Sequence, residues 1–352
     1  MASVVRDSYT VQVMKESNSK SEMRAWAKTV DRADLSMRVN RMLFDWVPLH
    51  GTVLSYLAMS DEVDLNTVHG LGRCRIVITR TPEKGALSLH EYERGRLETH
   101  PLGFEQPRSR APHVPFDEID VVLVPGLAFD RHGYRLGRGK GYYDELLGTL
   151  PAGVIRVGIT VDELLVDQVP TEAHDQRVAW VATESGVHRV GEQLAEATAR
   201  LVASAVLLGV APDIHRFPAG TKTSADAAAA VGAELGEIAK SILFEVDDQP
   251  VLVICSGDRR VDEKRLARSC GGRRARIASL GIVKHVTGFA AGGTPGIGLP
   301  EEIKVVADVS VARYRWVWSA GGTPETVYPV ALDRLIAASS ARWAEIADRG
   351  KM

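Results

Sequence analysis

Between residues 119 and 144 the chain spells out a strand, a loop and a helix entrance in a form that leaves little choice of architecture. Residues 119–125 read IDVVLVP. Val121, Val122, Leu123 and Val124 give the segment no polar face, so it is expected to be a strand buried on both sides, as inside a largely parallel sheet. The following loop is rich in glycine and cation: Gly126, Gly133, Arg135, Gly137, Arg138, Gly139, Lys140 and Gly141. Tyr142-Tyr143-Asp144 then opens an apolar helical run through Leu146 and Leu147. Glycines let backbone N–H groups close on an anion. A helix N-terminus adds favourable potential, Arg and Lys bring charge, and a nearby carboxylate can hold Mg²⁺. Together these are the parts of a phosphate-holding site. The spacing is neither that of a P-loop nor that of a dinucleotide fingerprint.

At 352 residues the chain is expected to form two domains. Its 45% hydrophobic and 25% charged content is that of an ordinary soluble protein. A formal net charge of −2 excludes a global field that would draw the chain to DNA or a membrane surface, so any anion site must be local. No apolar stretch approaches the ~20 residues a membrane span requires, and the N-terminus lacks the apolar core of a signal peptide. Cys74, Cys255 and Cys270 have no CxxC spacing, which points to reduced thiols in a cytoplasmic protein.

Residues 1–15 show little periodicity and are expected to form a flexible tail. Residues 20–46 read as one helix, with Met23, Trp26, Val30, Leu35, Val39, Met42 and Leu43 on its apolar side. Strand-like runs at 53–58, 75–79, 154–159 and 178–181 alternate with helical ones. This predicts an α/β layered sheet domain over 16–188. The short polar stretch 183–190 marks the expected boundary. An α+β mixed-sheet domain is expected over 189–352. In it, alanine-rich helices at 192–210 and 223–235 precede strands at 238–246 and 251–255. A basic helix at 261–269 and a final helix over 331–347 follow. A Thr-Ser-x-Asp cap opens the second alanine-rich helix.

The run VPGLAFDRHGYRLGRGKGYYD resembles the signature of the 5-formyltetrahydrofolate cyclo-ligases, also called methenyltetrahydrofolate synthetases. Other pieces recur in that family's order. Lys20 and Arg24 resemble its N-terminal basic pair, and their i,i+4 spacing puts them on one helix face. Tyr56 with Glu62 resembles its folate-lining segment. Gly103-Phe104-Glu105-Gln106-Pro107, His174-Asp175 and Thr183-Glu184 resemble later turns. The resemblance implies ATP-driven cyclisation of 5-formyltetrahydrofolate with Mg²⁺. It implies ATP contacts from Lys20, Arg24, Arg135, Gly137, Arg138, Gly139, Lys140, Gly141 and Tyr142. Arg138 and Lys140 would act catalytically on the transferring phosphate. The folate would lie against Tyr56, Glu62, Tyr142 and Tyr143, and the metal at Asp144. Asp144-Glu145 stands where many members have an acid followed by a base, and the segment between Lys20 and Tyr56 is short for the family.

Residues 192–345 resemble the YbaK/prolyl-tRNA-synthetase-associated domain, a family of aminoacyl-tRNA deacylases that act in trans. The matching pieces are Thr223-Ser224, the run from Ile238 through Lys240 to Phe244, Ser256-Gly257-Asp258, the glycine turn 292–298, Asp308 and Ala320-Gly321-Gly322-Thr323. The resemblance implies a catalytic Lys240 and substrate contacts from Gly293, Gly298 and Asp308. An ammonium in an apolar strand is costly unless it is paired or used. Gly296 stands where the family commonly has proline. Eight cations over 259–276 could track an aminoacyl-tRNA backbone. The same residues also admit a catalytically silent folate or nucleotide sensor in the first domain, and an inactive tRNA-binding or interaction module in the second.

Overall fold

The computed structural model describes residues 19–348 apart from 47–50, 71, 73, 83–84, 102, 152, 192–193 and 222. The expected N-terminal tail lies outside the described residues. The chain divides into two compact units, 1–192 and 193–352.

The first unit begins with helices α1 (Lys20–Ala27) and α2 (Ala33–Trp46). Strand β1 (Thr52–Ser55), helix α3 (Asn66–His69) and strands β2 (Arg75–Arg80), β3 (Ser88–Glu91), β4 (Leu97–Thr99) and β5 (Glu105–Pro107) follow. Next come β6 (Val121–Pro125), β7 (Ala128–Asp130), β8 (Arg135–Leu136), α4 (Tyr142–Thr149), β9 (Ile155–Ile159), β10 (Leu165–Val166), β11 (Trp180–Thr183) and β12 (Gly186–Arg189). Seven strands form one sheet in the order β12-β11-β9-β6-β1-β2-β3. All neighbours run parallel except β12 and β3, which are antiparallel edges. β6 sits at the centre with Val121–Val124 wholly buried, as a strand without a polar face requires. Below its end, the Phe129 ring fills the space left by two glycines. A Cβ on Gly126 or Gly158 would come within 2.6 or 2.4 Å of that ring.

Two expectations change here. The single helix over 20–46 is broken into α1 and α2, because buried Arg32 folds back on the break. Its guanidinium donates to the carbonyls of Ala27 (2.9 Å), Val30 (2.8 Å) and Leu127 (3.3 Å). The polar stretch 183–190 is not a linker but the β11–β12 hairpin, paired Trp180↔Arg189 through Thr183↔Gly186.

The second unit contains α5 (Glu196–Leu207), β13 (His215–Arg216), α6 (Ser224–Val231), β14 (Ala239–Val246), β15 (Gln249–Ser256), α7 (Glu263–Ser269), β16 (Ala275–Ile277) and α8 (Leu280–Thr287). It ends with β17 (Lys304–Asp308), β18 (Trp316–Ala320), β19 (Thr326–Ala331), α9 (Leu332–Ser339) and β20 (Arg342–Ala344). A five-stranded mixed sheet, β16-β14-β15-β17-β20, accompanies a three-stranded antiparallel one, β13-β19-β18. Thr223 and Asp226 form the capping box that opens α6. Alternation divides the larger sheet's side chains. Leu243, Leu252 and Ile254 pack with Val283 of α8 on one face, and Phe244, Val253 and Cys255 pack with Leu266 of α7 on the other. The helix expected over 331–347 stops at Ser340, which adopts φ 50°. The chain then pairs as β20, and the Asp308 carboxylate accepts from the backbone of Ile346 and Ala347, both at 2.8 Å. Among the described residues, no helix is long and apolar enough to cross a membrane.

Candidate functional sites

At the carboxyl ends of β1, β2 and β6 the first unit encloses a cavity of about 620 Å³. The residues expected to contact ATP, folate or metal all line it: Lys20, Arg24, Tyr56, Glu62, Arg135, Gly137, Arg138, Gly139, Lys140, Gly141, Tyr142, Tyr143 and Asp144, whereas Gly103, Gln106, Pro107, Thr183 and Glu184 of the later turns do not. They come from the α1 face, the loop after β1 and the turn between β8 and α4. Ser19 caps α1 and accepts from Glu22 N at 3.3 Å, which sets Lys20 and Arg24 on the exposed first turns. Arg24 Nε donates to the Gly137 carbonyl (2.9 Å), and its guanidinium passes within 3.3 Å of where a Cβ on Gly139 would stand. Gly141 enters α4 at φ 73°, a conformation glycine holds without strain.

Most cations of the cavity are already matched to acids. Lys20 Nζ reaches Glu172 (2.7 Å) and Asp175 (3.3 Å). Burial works against its charge, yet the two carboxylates outweigh it and raise its pKa. Arg138 pairs with Asp61 and with Glu62 (3.3 Å); here too burial is outweighed and the pKa rises. Arg135, only 6% exposed, donates to Asp144 at 2.9 Å and lies 5.5 Å from the centroid of the Tyr143 ring. Its burial is deep enough to pull the guanidinium below its ordinary pKa despite Asp144. Arg135 Nε is buried without a partner. Among the described residues, Lys140 is the loop cation with no carboxylate at ion-pair distance. Tyr56 and Tyr143 are buried phenols whose pKa values burial raises. Tyr56 spends its hydroxyl on the Val63 carbonyl at 2.9 Å, so it offers the cavity its ring. Glu172 was not singled out from the sequence, and Asp175 only as part of the His174-Asp175 turn. They come from the loop after β10, about 150 residues from Lys20, and only the fold joins them to it.

The second unit has a smaller cavity of about 360 Å³, at the edge of β14 between β18, α8 and the 291–294 turn. Lys240, Ser241, Gly292, Thr294, Trp318 and Ser319 line it. Trp318 and Ser319 belong to the other sheet and carry no sequence motif that foretells their place. Lys240 Nζ donates to the carbonyls of Arg259 and Gly257 (3.5 Å to the latter). Burial lowers its pKa, with Cys255 and Asp258 opposing. Cys255, opposite Lys240 in the strand pair, has its thiol pushed up to about 11 by burial.

Three expected substrate contacts do not line this cavity. Gly293 is pressed against the Thr323 backbone, where a Cβ would meet carbonyl carbon at 2.5 Å. Gly298 faces α5, with Ser204 Cβ 3.0 Å from where its own would be. Asp308 is buried, and its carboxylate is used on the backbone N–H groups of Ser310, Ile346 and Ala347. In this structure each of the three is engaged in packing or backbone contacts. The basic helix α7 packs on the sheet face away from Leu243 and Val283 of the cavity wall, so it does not flank the cavity. Gly296 is buried, and a Cβ there would stand 3.1 Å from both Ile254 and Leu335.

The first cavity is thus lined by five cations and the acids that pair most of them, on a strand, a glycine turn and a helix start, and the second is a lysine-edged pocket between two sheets. The family model of 5-formyltetrahydrofolate cyclo-ligases matches residues 13–184, and that of the aminoacyl-tRNA editing domain matches 218–338. The chain is 35% identical over 141 residues to a 5-formyltetrahydrofolate cyclo-ligase of Mycolicibacterium smegmatis, covering 38% of this chain and 73% of that protein. A Bacillus subtilis protein, Uncharacterized protein YwhH, is 35% identical over 112 residues, 32% of this chain and 71% of its own. A Proline--tRNA ligase of Geobacter sp. is 31% identical over 100 residues, 28% of this chain and 18% of that enzyme. The chain belongs to the 5-formyltetrahydrofolate cyclo-ligase family through its first unit, and it carries an aminoacyl-tRNA editing domain in its second.

Proposed function

We propose that the first unit converts 5-formyltetrahydrofolate and ATP to 5,10-methenyltetrahydrofolate, ADP and phosphate. The observation that carries this reading is the concentration of Lys20, Arg24, Arg135, Arg138 and Lys140 around one cavity that also holds apolar and aromatic walls. The formyl oxygen attacks the γ-phosphorus and ADP leaves. N10 of the folate then attacks the activated formyl carbon. Phosphate departs with the former formyl oxygen, and N10 gives up its proton. Such chemistry needs positioning and charge neutralisation more than a protein nucleophile. Arg138 and Lys140 neutralise the transferring phosphate, while Lys20 and Arg24 hold the rest of the polyphosphate. Tyr56, Tyr142 and Tyr143 give the pterin a wall, and Glu62 a polar contact.

Among the described residues, no three His, Cys, Asp or Glu side chains cluster as a metal cage. A single carboxylate suits an ion that arrives with its nucleotide, since Mg²⁺ keeps waters and phosphate oxygens as most of its ligands. Asp144 is the residue that would hold it, and the ion would then screen the repulsion between phosphates. Methenyl absorbance on mixing the protein with 5-formyltetrahydrofolate and Mg-ATP tests the reading, and no ATP-dependent signal overturns it.

For the second unit the proposed reaction is hydrolysis of the ester of a mischarged aminoacyl-tRNA, acting in trans. Lys240 orients the substrate, and backbone donors of the 291–294 turn face the developing oxyanion. Release of amino acid from a panel of charged tRNAs, without metal or ATP, is the test. Gly296 favours one alternative, an inactive binding module, because it lacks the proline common at this turn.

A further inference from the structure

At the end of β15 the turn formed by Ser256, Gly257, Asp258 and Arg259 is held unusually tightly for a loop. A Cβ on Gly257 would stand 2.3 Å from the Leu235 carbonyl oxygen, so the backbone passes there in direct contact. Arg259 N donates to the Ser256 carbonyl at 3.0 Å and closes the turn. The Ser256 hydroxyl lies 2.6 Å from the Gly236 carbonyl and 2.7 Å from Asp258 Oδ1. From the 3₁₀ turn after β17, Arg313 Nη2 donates to Asp258 Oδ1 at 2.7 Å and to Ser256 Oγ at 2.8 Å. Arg313 is itself fixed. Its Nε donates to the Ser310 carbonyl at 2.8 Å, and its guanidinium lies 5.1 Å from the centroid of the Tyr314 ring. Tyr314 in turn donates its hydroxyl to Glu234 at 3.2 Å.

This turn presents the Gly257 and Arg259 carbonyls to Lys240. Two acceptors fix two of the ammonium's three N–H directions, which leaves one N–H free to point at a ligand. The geometry points to Asp258 and Arg313 as positioning residues for Lys240: their ion pair locks the turn whose carbonyls aim the ammonium. This rests on the reading that Lys240 orients the ester. A lysine on a flexible four-carbon stem has no fixed aim of its own, and misplacement of a positioning group by about 1 Å can cost on the order of 10²-fold in rate.

The charged and titratable groups that face Lys240 are Cys255 across the strand pair, with Asp258 and Arg260 from the turn. Arg313 and Arg259 act on it through Asp258. Signs follow. Asp258→Asn removes the nearest carboxylate, so Lys240 titrates lower. Arg313→Met strips Asp258 of its compensating cation, so Lys240 titrates higher. Those opposite shifts report the two charges alone; the positioning role is read from kcat, which should fall in both variants and return when Arg313→Lys restores the ion pair.

The full chain is used throughout. The Lys240 titration is read from the pH dependence of its modification by an amine-acylating reagent, followed by mass spectrometry, and hydrolysis is read on the same charged-tRNA panel. Expected are opposite shifts in the two variants, with kcat down ~10- to 100-fold and KM within about twofold. Arg313→Lys, which keeps the ion pair, should recover most of kcat and serves as the comparison should Arg313→Met not fold. Unchanged kcat in the folded variants, or no recovery of kcat in Arg313→Lys, overturns the proposal. If the parent chain hydrolyses no charged tRNA, the editing reading fails, and the clamp is then read from the acylation rate of Lys240 above its titration, which should rise in both variants and return to the parent value in Arg313→Lys.

Discussion

Arg135→Met separates what the central ion pair does for folding from what it does for chemistry. Arg135 is 6% exposed and Asp144 16%, at 2.9 Å. Without the guanidinium, the Asp144 carboxylate keeps a 3.3 Å contact from Gln176 N and little water. Removing one partner of a buried pair costs ~3–5 kcal/mol. The residual exposure of Asp144 places this case at the lower end, ~3 kcal/mol. For a unit of this size, ~2–4 °C of melting temperature per kcal/mol makes that a drop of about 6–12 °C. Adding Asp144→Asn removes the stranded charge and should return most of the loss. Turnover is then measured well below the melting range, where Arg135→Met remains folded, by ATP-dependent methenyl absorbance. There it should fall ~10²-fold or more, the scale of one lost preorganised contact to a developing charge. A variant that melts like the parent would refute the pairing argument. A destabilised variant with full turnover per folded molecule would make Arg135 a scaffold residue and remove it from the phosphate site.

Lys140→Ala and Arg138→Ala should each lower turnover ~10²-fold, Lys140→Ala with little loss of stability because it is exposed and holds no acid, Arg138→Ala with a loss of its own because it strands Asp61 and Glu62; near-normal kcat in both removes this loop from the reaction. Asp144→Asn should raise the Mg²⁺ concentration needed for half-maximal turnover, since a neutral amide is a poorer ligand for a hard cation, and an unchanged titration leaves Asp144 as Arg135's partner alone. Burial lowers the His69 pKa from 6.5 to about 4, against Asp64, so below pH 6.5 the unfolded chain takes up a proton that the folded one refuses. Stability should therefore fall as pH drops from 6.5 to about 4, by ~3 kcal/mol at ~1.36 kcal/mol per pH unit, a slope that urea titrations of His69→Gln should lack. A chain ending at residue 188 should be less stable than one ending at 192 by about 2 kcal/mol, because it loses the bonds from Val190 N to the Ala179 carbonyl (3.0 Å) and from Gly191 N to that of Arg131 (2.7 Å); equal melting curves would put the boundary back inside the hairpin.

How far each site could be read from the sequence depends on where its parts come from. The glycine turn before α4 was legible because its ligands are contiguous, and because a both-faces-buried strand and a helix start bracket it. Lys20 and Arg24 were legible as one face by helical spacing, but not the pairing of Lys20 with Glu172 and Asp175. The break between α1 and α2 was hidden because an arginine at 32 looks the same in sequence whether it is solvated or, as here, folded onto three carbonyls. Asp308 misled for the same reason: an acid at a strand end can serve a ligand or satisfy backbone donors, and only the position of residues 346–347 decides between them. In the second unit the cavity is made where two sheets meet, so Trp318 and Ser319 were invisible beforehand.

The acids that face the first cavity explain how so many cations can share it. Five like charges around 620 Å³ would repel one another and oppose folding if left bare. Pairing Lys20, Arg135 and Arg138 with Glu172, Asp175, Asp144, Asp61 and Glu62 removes that cost in the ligand-free chain. On the proposed reading, a polyphosphate would enter by exchange: its oxygens would replace carboxylates on the arginines and lysine, with Lys140, which pairs with no acid among the described residues, meeting it first. Exchange keeps net affinity modest, because each new contact replaces one already made. Glu62 stands on both sides of that exchange: it holds Arg138 at 3.3 Å while its other oxygen accepts from Met59 N at 3.0 Å. It can therefore release the arginine while the Met59 N–H still holds it in place.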